Sequence, residues 1–125
     1  MFSGKKALIV EDSKSERQIL AKYLRNMGFE VYEAENGLDG LEKTMEIKPD
    51  IICMDIVMPG AFNGFQAIRA IYQHEELKRI PIILCTSKNE EKDKLWGKKQ
   101  GAAGFLTKPI NEETFSGTVK GVLIK

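Results

Sequence analysis

Five short apolar runs alternate along the chain with longer segments in which apolar residues recur at helical spacing. Runs of this length, rich in Ile, Leu and Val and bounded by polar residues, are typical of strands buried on both faces of a parallel sheet. The pattern therefore predicts five parallel strands joined by helices. The predicted strands cover residues 7–10, 30–32, 51–54, 80–85 and 104–106.

The first intervening segment shows how the helices are predicted. Ser13 and Glu16 have the spacing of a capping box, in which each side chain accepts a hydrogen bond from the main-chain N–H of the other. Apolar residues then recur on one face as far as Met27, and Gly28 follows as a helix terminator. Further helices are predicted over residues 38–47, 64–74, 90–100 and 112–123, the last of them capped by Asn111.

The alternating order of strands and helices predicts an α/β fold. Right-handed crossovers place helices on both faces, so the five parallel strands form an open, doubly wound sheet. The chain has 125 residues, the length of one ordinary domain, and we expect a single domain over 1–125 with no output domain attached. Ligands of such sheets bind beyond the carboxyl ends of the strands, which is where a candidate site is expected.

Charge and composition narrow the class of protein. Hydrophobic residues make up 42% of the chain and charged residues 30%, as in globular domains. The 19 Lys and Arg residues against 18 Asp and Glu residues lack the positive excess of nucleic-acid-binding proteins, so no nucleic acid partner is expected. The apolar run directly before Glu11 has only four residues, 7–10, too few for a signal-peptide core or a membrane span. We expect a cytoplasmic protein without membrane insertion.

Four residues outside the strand ends have simple interpretations. Cys53 and Cys85 lie inside apolar runs, which predicts buried free thiols rather than a disulfide or a metal pair. His74 lies in a charged stretch and is expected at a solvated helix end. Trp96, in an otherwise polar helix, either packs on the core or anchors a partner. No glycine-rich phosphate loop follows a strand, so ATP binding is not predicted.

The predicted strand ends carry a set of polar residues. Glu11 and Asp12 follow the first strand, Asp55 the third, Thr86 the fourth and Lys108 the fifth. Gathered carboxylates repel one another unless a cation compensates, and hard oxygen ligands suit Mg²⁺. A carboxylate can also accept a phosphoryl group when the added charge is neutralised. The pattern predicts a Mg²⁺-dependent phosphoacceptor at Asp55, with Lys108 as the cation and Thr86 as a hydroxyl donor.

Each of these residues also has a purely structural interpretation. Glu11 and Asp12 are suitable turn or cap residues at a helix start, and Asp55 is a suitable strand-end turn residue. Thr86 is a β-branched residue that favours strands, and Lys108 could be a solvated loop charge. Taken singly they indicate little, and their joint placement favours a site.

The sequence also resembles the receiver domain of bacterial two-component systems, the CheY-like family, over nearly its whole length. The stretches that carry the resemblance are ALIVEDS, KPDIICMDIVMPG, IPIILCTSKN and GAAGFLTKPI. The resemblance implies a flavodoxin-like (βα)5 fold with strand order 2-1-3-4-5. It also implies that the protein uses Mg²⁺ as its cofactor, and that it accepts a phosphoryl group without being a dedicated enzyme.

The same resemblance assigns roles to individual residues. Glu11 and Asp12 match the acidic pair and Asp55 the phosphoacceptor, and Val57 joins these three as a metal contact. Thr86 and Phe105 match the family's switch residues, and Lys108 matches the lysine of its site. The resemblance also implies a cis peptide bond between Lys108 and Pro109.

A narrower similarity suggests a pathway. The stretches ENGLDG, DIVMPG, NGFQAIR and DKLWGKKQGAAGFLTKPINEET are similar to single-domain regulators of type IV pilus twitching motility. Related receivers serve chemotaxis, phototaxis and phosphorelays. The implied partners are a histidine kinase or phosphotransfer domain and a downstream target protein, contacted around the fourth and fifth helices and fifth strand. The expected state is a monomer or weak dimer.

Two other functions compete with a signalling switch. A phosphate sink would drain a shared kinase without binding a target. A metal-dependent phosphatase with an aspartate nucleophile would need a general acid near Asp55, and its neighbours Ile56 and Val57 supply none.

The sequence also departs from the family pattern. Its loop over 58–64 is one residue longer than usual. Phe105 replaces the commoner Tyr, and Ser87 replaces the commoner Ala. Val57 and Lys88 lie at positions that often carry polar or acidic residues.

Overall fold

The structure is a computed structural model that describes residues 1–60 and 62–124. Its five strands are parallel and lie in the order β2-β1-β3-β4-β5, which confirms the predicted fold class and strand order. The strands are β1 (Lys6–Val10), β2 (Glu30–Ala34), β3 (Ile51–Met54), β4 (Ile82–Thr86) and β5 (Gly104–Thr107).

Five α-helices connect and follow these strands. They are α1 (Lys14–Asn26), α2 (Gly37–Ile47), α3 (Gly64–Tyr72), α4 (Glu91–Lys99) and α5 (Glu112–Leu123), with a short 3₁₀ turn over Glu75–Leu77. No helix among the described residues is long and apolar enough to cross a membrane.

The segment between α3 and β4 differs from the predicted boundaries. The helix predicted to reach residue 74 ends at Tyr72, whose hydroxyl donates to the carbonyl of Ile80 over 2.6 Å. The chain then turns so that Leu77 is fully buried. The strand predicted from residue 80 begins at Ile82, because Pro81 has no N–H to donate to the sheet. His74 is exposed beside this turn, as predicted.

The cap of α1 forms only half of the predicted capping box. The Ser13 hydroxyl accepts from the Glu16 N–H over 3.4 Å, but the Ser13 N–H donates to the Glu11 carboxylate over 2.9 Å. The Glu16 carboxylate instead contacts Lys108. A complete capping box forms at the start of α3, while Asn111 caps α5 as predicted.

Alternate residues of the strands build two cores, one on each face of the sheet. Cys53 and Cys85 lie in the core covered by α1 and α5, where both are free and buried, as predicted. The opposite core packs the other strand residues against α3. Gly97 of α4 faces Leu84, where an added Cβ would lie 2.8 Å from that side chain. A glycine at this position lets α4 lie directly on the sheet.

Candidate functional site

The carboxyl ends of β1 and β3 bring three acids together. Val10 and Met54 are partners in the parallel register, so Glu11 and Asp55 leave the sheet side by side, and Asp12 follows. One carboxylate oxygen from each acid lies within 4.8 Å of the others. Glu11 and Asp55 are buried, at 1% and 7% exposure, whereas Asp12 is exposed.

Lys108, which follows β5, contacts two of these acids and also a further carboxylate, that of Glu16. Its ammonium donates to Glu11 Oε1 over 2.5 Å, to Asp55 Oδ2 over 3.0 Å and to Glu16 Oε2 over 3.0 Å. Its main-chain N–H donates to the carbonyl of Thr86 over 2.8 Å, which fixes the loop to the end of β4. The peptide bond from Lys108 to Pro109 is cis, as the resemblance implied.

The ionisation of this cluster is set by burial and by the lysine. Burial raises the pKa of Glu11 to about 7, and the Asp55 charge adds to this rise, while hydrogen bonds from Lys108 and the Ser13 N–H oppose it. Burial disfavours the charged form of Lys108, but the hydrogen bonds that its ammonium donates to the surrounding carboxylates outweigh burial and raise the lysine pKa above its usual range. Lys108 therefore stays charged at neutral pH.

Asp55 is held at both carboxylate oxygens. Lys108 contacts Oδ2, and the main-chain N–H of Val57 donates to Oδ1 over 3.2 Å. The Val57 side chain points out of the core, with 53% exposure. The expected metal contact at Val57 thus lies in the segment beside the acids, while its side chain carries no ligand atom.

The segment after Asp55 passes very close to the start of α3. A Cβ added to Gly64 would lie 2.4 Å from the Asp55 carbonyl oxygen and 2.8 Å from the Ile56 Cα. The Gly64 N–H donates to the Ile56 carbonyl over 2.8 Å. Only glycine fits this approach. The longer loop over 58–64 includes Ala61, which lies outside the described residues, so its predicted effect on loop shape stays a prediction.

The predicted switch residues lie on β4 and β5. Thr86 ends β4 and is fully buried, and its hydroxyl accepts from the Lys88 N–H over 3.3 Å. Phe105 pairs with Leu84 in the parallel register, is half-buried and faces Gly97 of α4. Thr86 and Phe105 therefore lie on neighbouring strands, and the Phe105 ring lies against the inner surface of α4.

Two residues near the acids were not predicted from the sequence. Glu16 contacts Lys108, and Arg17, which is 8% exposed, donates to the Glu11 carbonyl over 2.8 Å and to the Glu33 carboxylate over 2.9 Å. Two signals were available. Glu16 follows Asp12 by about one helical turn, and Arg17 interrupts the apolar face of α1, where a charge needs partners.

The donor chemistry of the acidic cluster fits a divalent cation. The three converging groups are carboxylates, and no imidazole or thiolate belongs to the cluster. Hard oxygen ligands of this kind suit Mg²⁺, which commonly takes one or two carboxylates and completes its coordination with water and phosphate oxygens.

Comparison with known proteins relates this fold and cluster to a family. The response regulator receiver domain family matches residues 7–120. Protein PilH of Pseudomonas aeruginosa is 49% identical over 116 residues, covering 93% of this chain and 95% of PilH. Protein PilG of the same organism is 34% identical over 117 residues, covering 94% of this chain and 86% of PilG.

The solved structures agree with the sequence comparisons. The chemotaxis protein CheY4 of Vibrio cholerae has a TM-score of 0.89 at 36% identity, covering 95% of this chain and 98% of CheY4. The shared fold includes the sheet edge at which the acids and Lys108 meet. With a family match that extends from β1 into α5, the chain belongs to the response regulator receiver domain family, whose members are signalling proteins of two-component systems rather than dedicated enzymes.

Proposed function

We propose that Asp55 accepts a phosphoryl group from a histidine kinase or phosphotransfer domain, and that the modified protein changes its contacts with a downstream target. The observation that carries this proposal is the environment of the Asp55 carboxylate. It is buried, yet one oxygen accepts from the Lys108 ammonium and the other from the Val57 N–H. These contacts orient the carboxylate and fix the direction of its lone pairs.

The transfer needs no proton from Asp55. A carboxylate oxygen attacks phosphorus, the bond from phosphorus to the donor nitrogen breaks, and the nitrogen keeps the electron pair. Lys108 and Thr86 then donate to phosphoryl oxygens. Glu11, Asp12 and Asp55, with the main chain at Val57, would hold Mg²⁺, which when bound neutralises charge on the phosphoryl oxygens.

The response would leave the domain through the surface around α4, β5 and α5. On α4, Leu95 and Trp96 are 64% and 44% exposed, and the Trp96 ring meets Phe65 edge-on at 6.5 Å between centroids. Phe105 lies under this helix beside Gly97. A movement of the Phe105 ring would therefore alter how α4 packs on the sheet and where its exposed apolar side chains lie.

The biological setting is part of the same proposal. The similarity to PilH at 49% identity and the four quoted stretches favour a pathway of pilus motility, while the likeness to CheY4 leaves taxis as the alternative. We place residues 1–125 in one receiver domain that acts in the cytoplasm as a monomer or weak dimer. The functional alternative is a phosphate sink. A switch gains affinity for a target protein when it is phosphorylated, whereas a phosphate sink does not.

The test is phosphoryl incorporation with acetyl phosphate and Mg²⁺, followed by intact-mass spectrometry. Wild-type protein should gain one base-labile acyl phosphate, and Asp55→Asn should gain none because an amide is not an anionic nucleophile. Asp50→Asn is the matched control, since Asp50 precedes the opposite end of β3 and accepts from the Lys6 N–H over 2.8 Å, as an amide oxygen also could. Continued labelling at position 55 in Asp55→Asn would refute the assignment.

A further inference from the structure

We propose that Glu16 restrains Lys108 in the unphosphorylated protein and thereby slows phosphoryl incorporation at Asp55. The inference rests on the proposed function, because it concerns the same lysine. It assigns a positioning role to Glu16, whose carboxylate oxygen lies 3.0 Å from the Lys108 ammonium nitrogen.

The Lys108 ammonium uses all of its hydrogen-bond donors on carboxylates. An ammonium group has three N–H donors. In the unphosphorylated protein these meet three carboxylates, from Glu11, Glu16 and Asp55. Lys108 therefore has no N–H left for a phosphoryl oxygen, and one of the three carboxylates must release it before the lysine can contact the incoming group.

Burial decides which carboxylate leaves most easily. The Glu11 and Asp55 side chains are 2% and 9% exposed, whereas the Glu16 side chain is 43% exposed. Water can replace the lysine at Glu16, but it has little access to the other two. Glu11 is also fixed by the Ser13 N–H over 2.9 Å. The structure thus makes Glu16 the partner that exchanges.

Glu16 is available for this contact because it does not complete the cap of α1. The Ser13 N–H, which a capping box would give to Glu16, is taken by Glu11. Replacing Glu16 by Gln therefore removes no helix-capping hydrogen bond made by that side chain. The substitution changes the charge beside Lys108 and little else.

The negative charge of Glu16 opposes phosphorylation in two ways. It holds one N–H of Lys108, and it repels the anionic phosphoryl group that approaches Asp55. For a partly exposed carboxylate near the site, we expect removal of its charge to raise the rate of incorporation about three- to fivefold. Added salt should reduce this difference, because salt screens an exposed charge.

The experiment measures the rate of Asp55 phosphorylation with acetyl phosphate at saturating Mg²⁺ for wild type, Glu16→Gln and Glu16→Ala. In each reaction Asp55 attacks phosphorus, the phosphorus–oxygen bond to the acetyl group breaks, and acetate leaves with the electron pair. Both Glu16 variants should react about three- to fivefold faster than wild type. Glu113→Gln is the control, because Glu113 is an exposed first-turn glutamate of α5 with no ion pair among the described residues.

A second measurement separates this role from a general effect on folding. Proton exchange of the Lys108 ammonium with water, followed by ¹⁵N NMR on unphosphorylated protein, should be faster in Glu16→Gln and unchanged in Glu113→Gln. Equal or lower phosphorylation rates in both Glu16 variants would overturn the inference, as would an equal gain in Glu113→Gln. If wild-type protein takes up no phosphoryl group at Asp55, the proposed function itself fails.

Discussion

Arg17 donates a hydrogen bond to the main-chain carbonyl of Glu11 over 2.8 Å and thereby ties α1 to the acidic loop. The guanidinium also contacts the Glu33 carboxylate on β2, 2.9 Å away, and lies 3.8 Å from the Glu35 carboxylate. A buried guanidinium with these partners fixes the main chain from which Glu11 and Asp12 project. Arg17 is thus a positioning residue for the acids rather than a member of the cluster.

Arg17→Met should lower the free energy of unfolding by about 2 kcal/mol, because it leaves a buried carbonyl and a half-buried carboxylate without their donor. Urea denaturation checks this value. Arg25→Met is the control, because Arg25 is 59% exposed and lies 4.0 Å from Glu33. Its loss should cost less than about 1 kcal/mol. Mg²⁺ should also bind less tightly to Arg17→Met, and equal losses of stability in both variants would contradict the positioning role.

Mg²⁺ affinity should fall as the pH is lowered from about 8 to about 6. Burial raises the pKa of Glu11 to about 7, and a protonated carboxyl group is a poor metal ligand. Stability without metal should have the opposite pH dependence. The folded-state pKa of Glu11 lies above the ordinary glutamate value of 4.5, so folding stability decreases as the pH rises from 4.5 to about 7.

Calorimetric titration of Mg²⁺ at several pH values tests this assignment. Asp12→Ala should weaken binding and phosphorylation yet keep the pH dependence, whereas Glu11→Gln should weaken binding and remove the dependence near neutral pH. A pH dependence that survives in Glu11→Gln would assign the titration to another group.

Thr86→Ala should accept the phosphoryl group but transmit little change to α4. The lost hydroxyl is the group expected to move toward the phosphoryl oxygen and so make room for the Phe105 ring, shifting an existing equilibrium. Amide NMR shifts of α4 before and after phosphorylation measure the transmission. Thr86→Ser, which keeps the hydroxyl, should respond like wild type. Wild-type shifts in Thr86→Ala would exclude this relay.

The lifetime of the acyl phosphate should depend on Val57 and Lys88. Hydrolysis needs a water held in line, but the exposed Val57 side chain cannot hydrogen-bond to it and a charged Lys88 cannot accept its proton. One orienting hydrogen bond worth about 1.4 kcal/mol changes a rate about tenfold. Val57→Asn with Lys88→Glu should therefore speed the decay of radiolabelled phosphate by about that factor. Val57→Ala, which adds no hydrogen-bonding group, should decay like wild type, and unchanged decay in the double variant would rule out this explanation.

The sequence was sufficient to predict the parts of the site that local pattern determines. Apolar runs located the strands, and parallel strands put Glu11 and Asp55 at one edge because their ends are adjacent in the sheet. Local pattern was insufficient where a distant partner competes. Ser13 and Glu16 have capping-box spacing, but Glu11 and Lys108 take the two groups that would complete it. Such competition depends on distances in the folded state, which residue spacing does not report.

The position of Lys108 makes the charge balance of the acids depend on contacts between residues far apart in the sequence. Its three acidic partners precede it by 97, 92 and 53 residues. Until β5 adds to the edge of the sheet, Glu11 and Asp55 face each other without their cation. Because such long-range contacts form after local ones, the site should be among the last features to assemble during folding. Detachment of β5 from β4 would remove the Lys108 ammonium from all three acids at once. The ability of the protein to signal therefore depends on the pairing of these two strands.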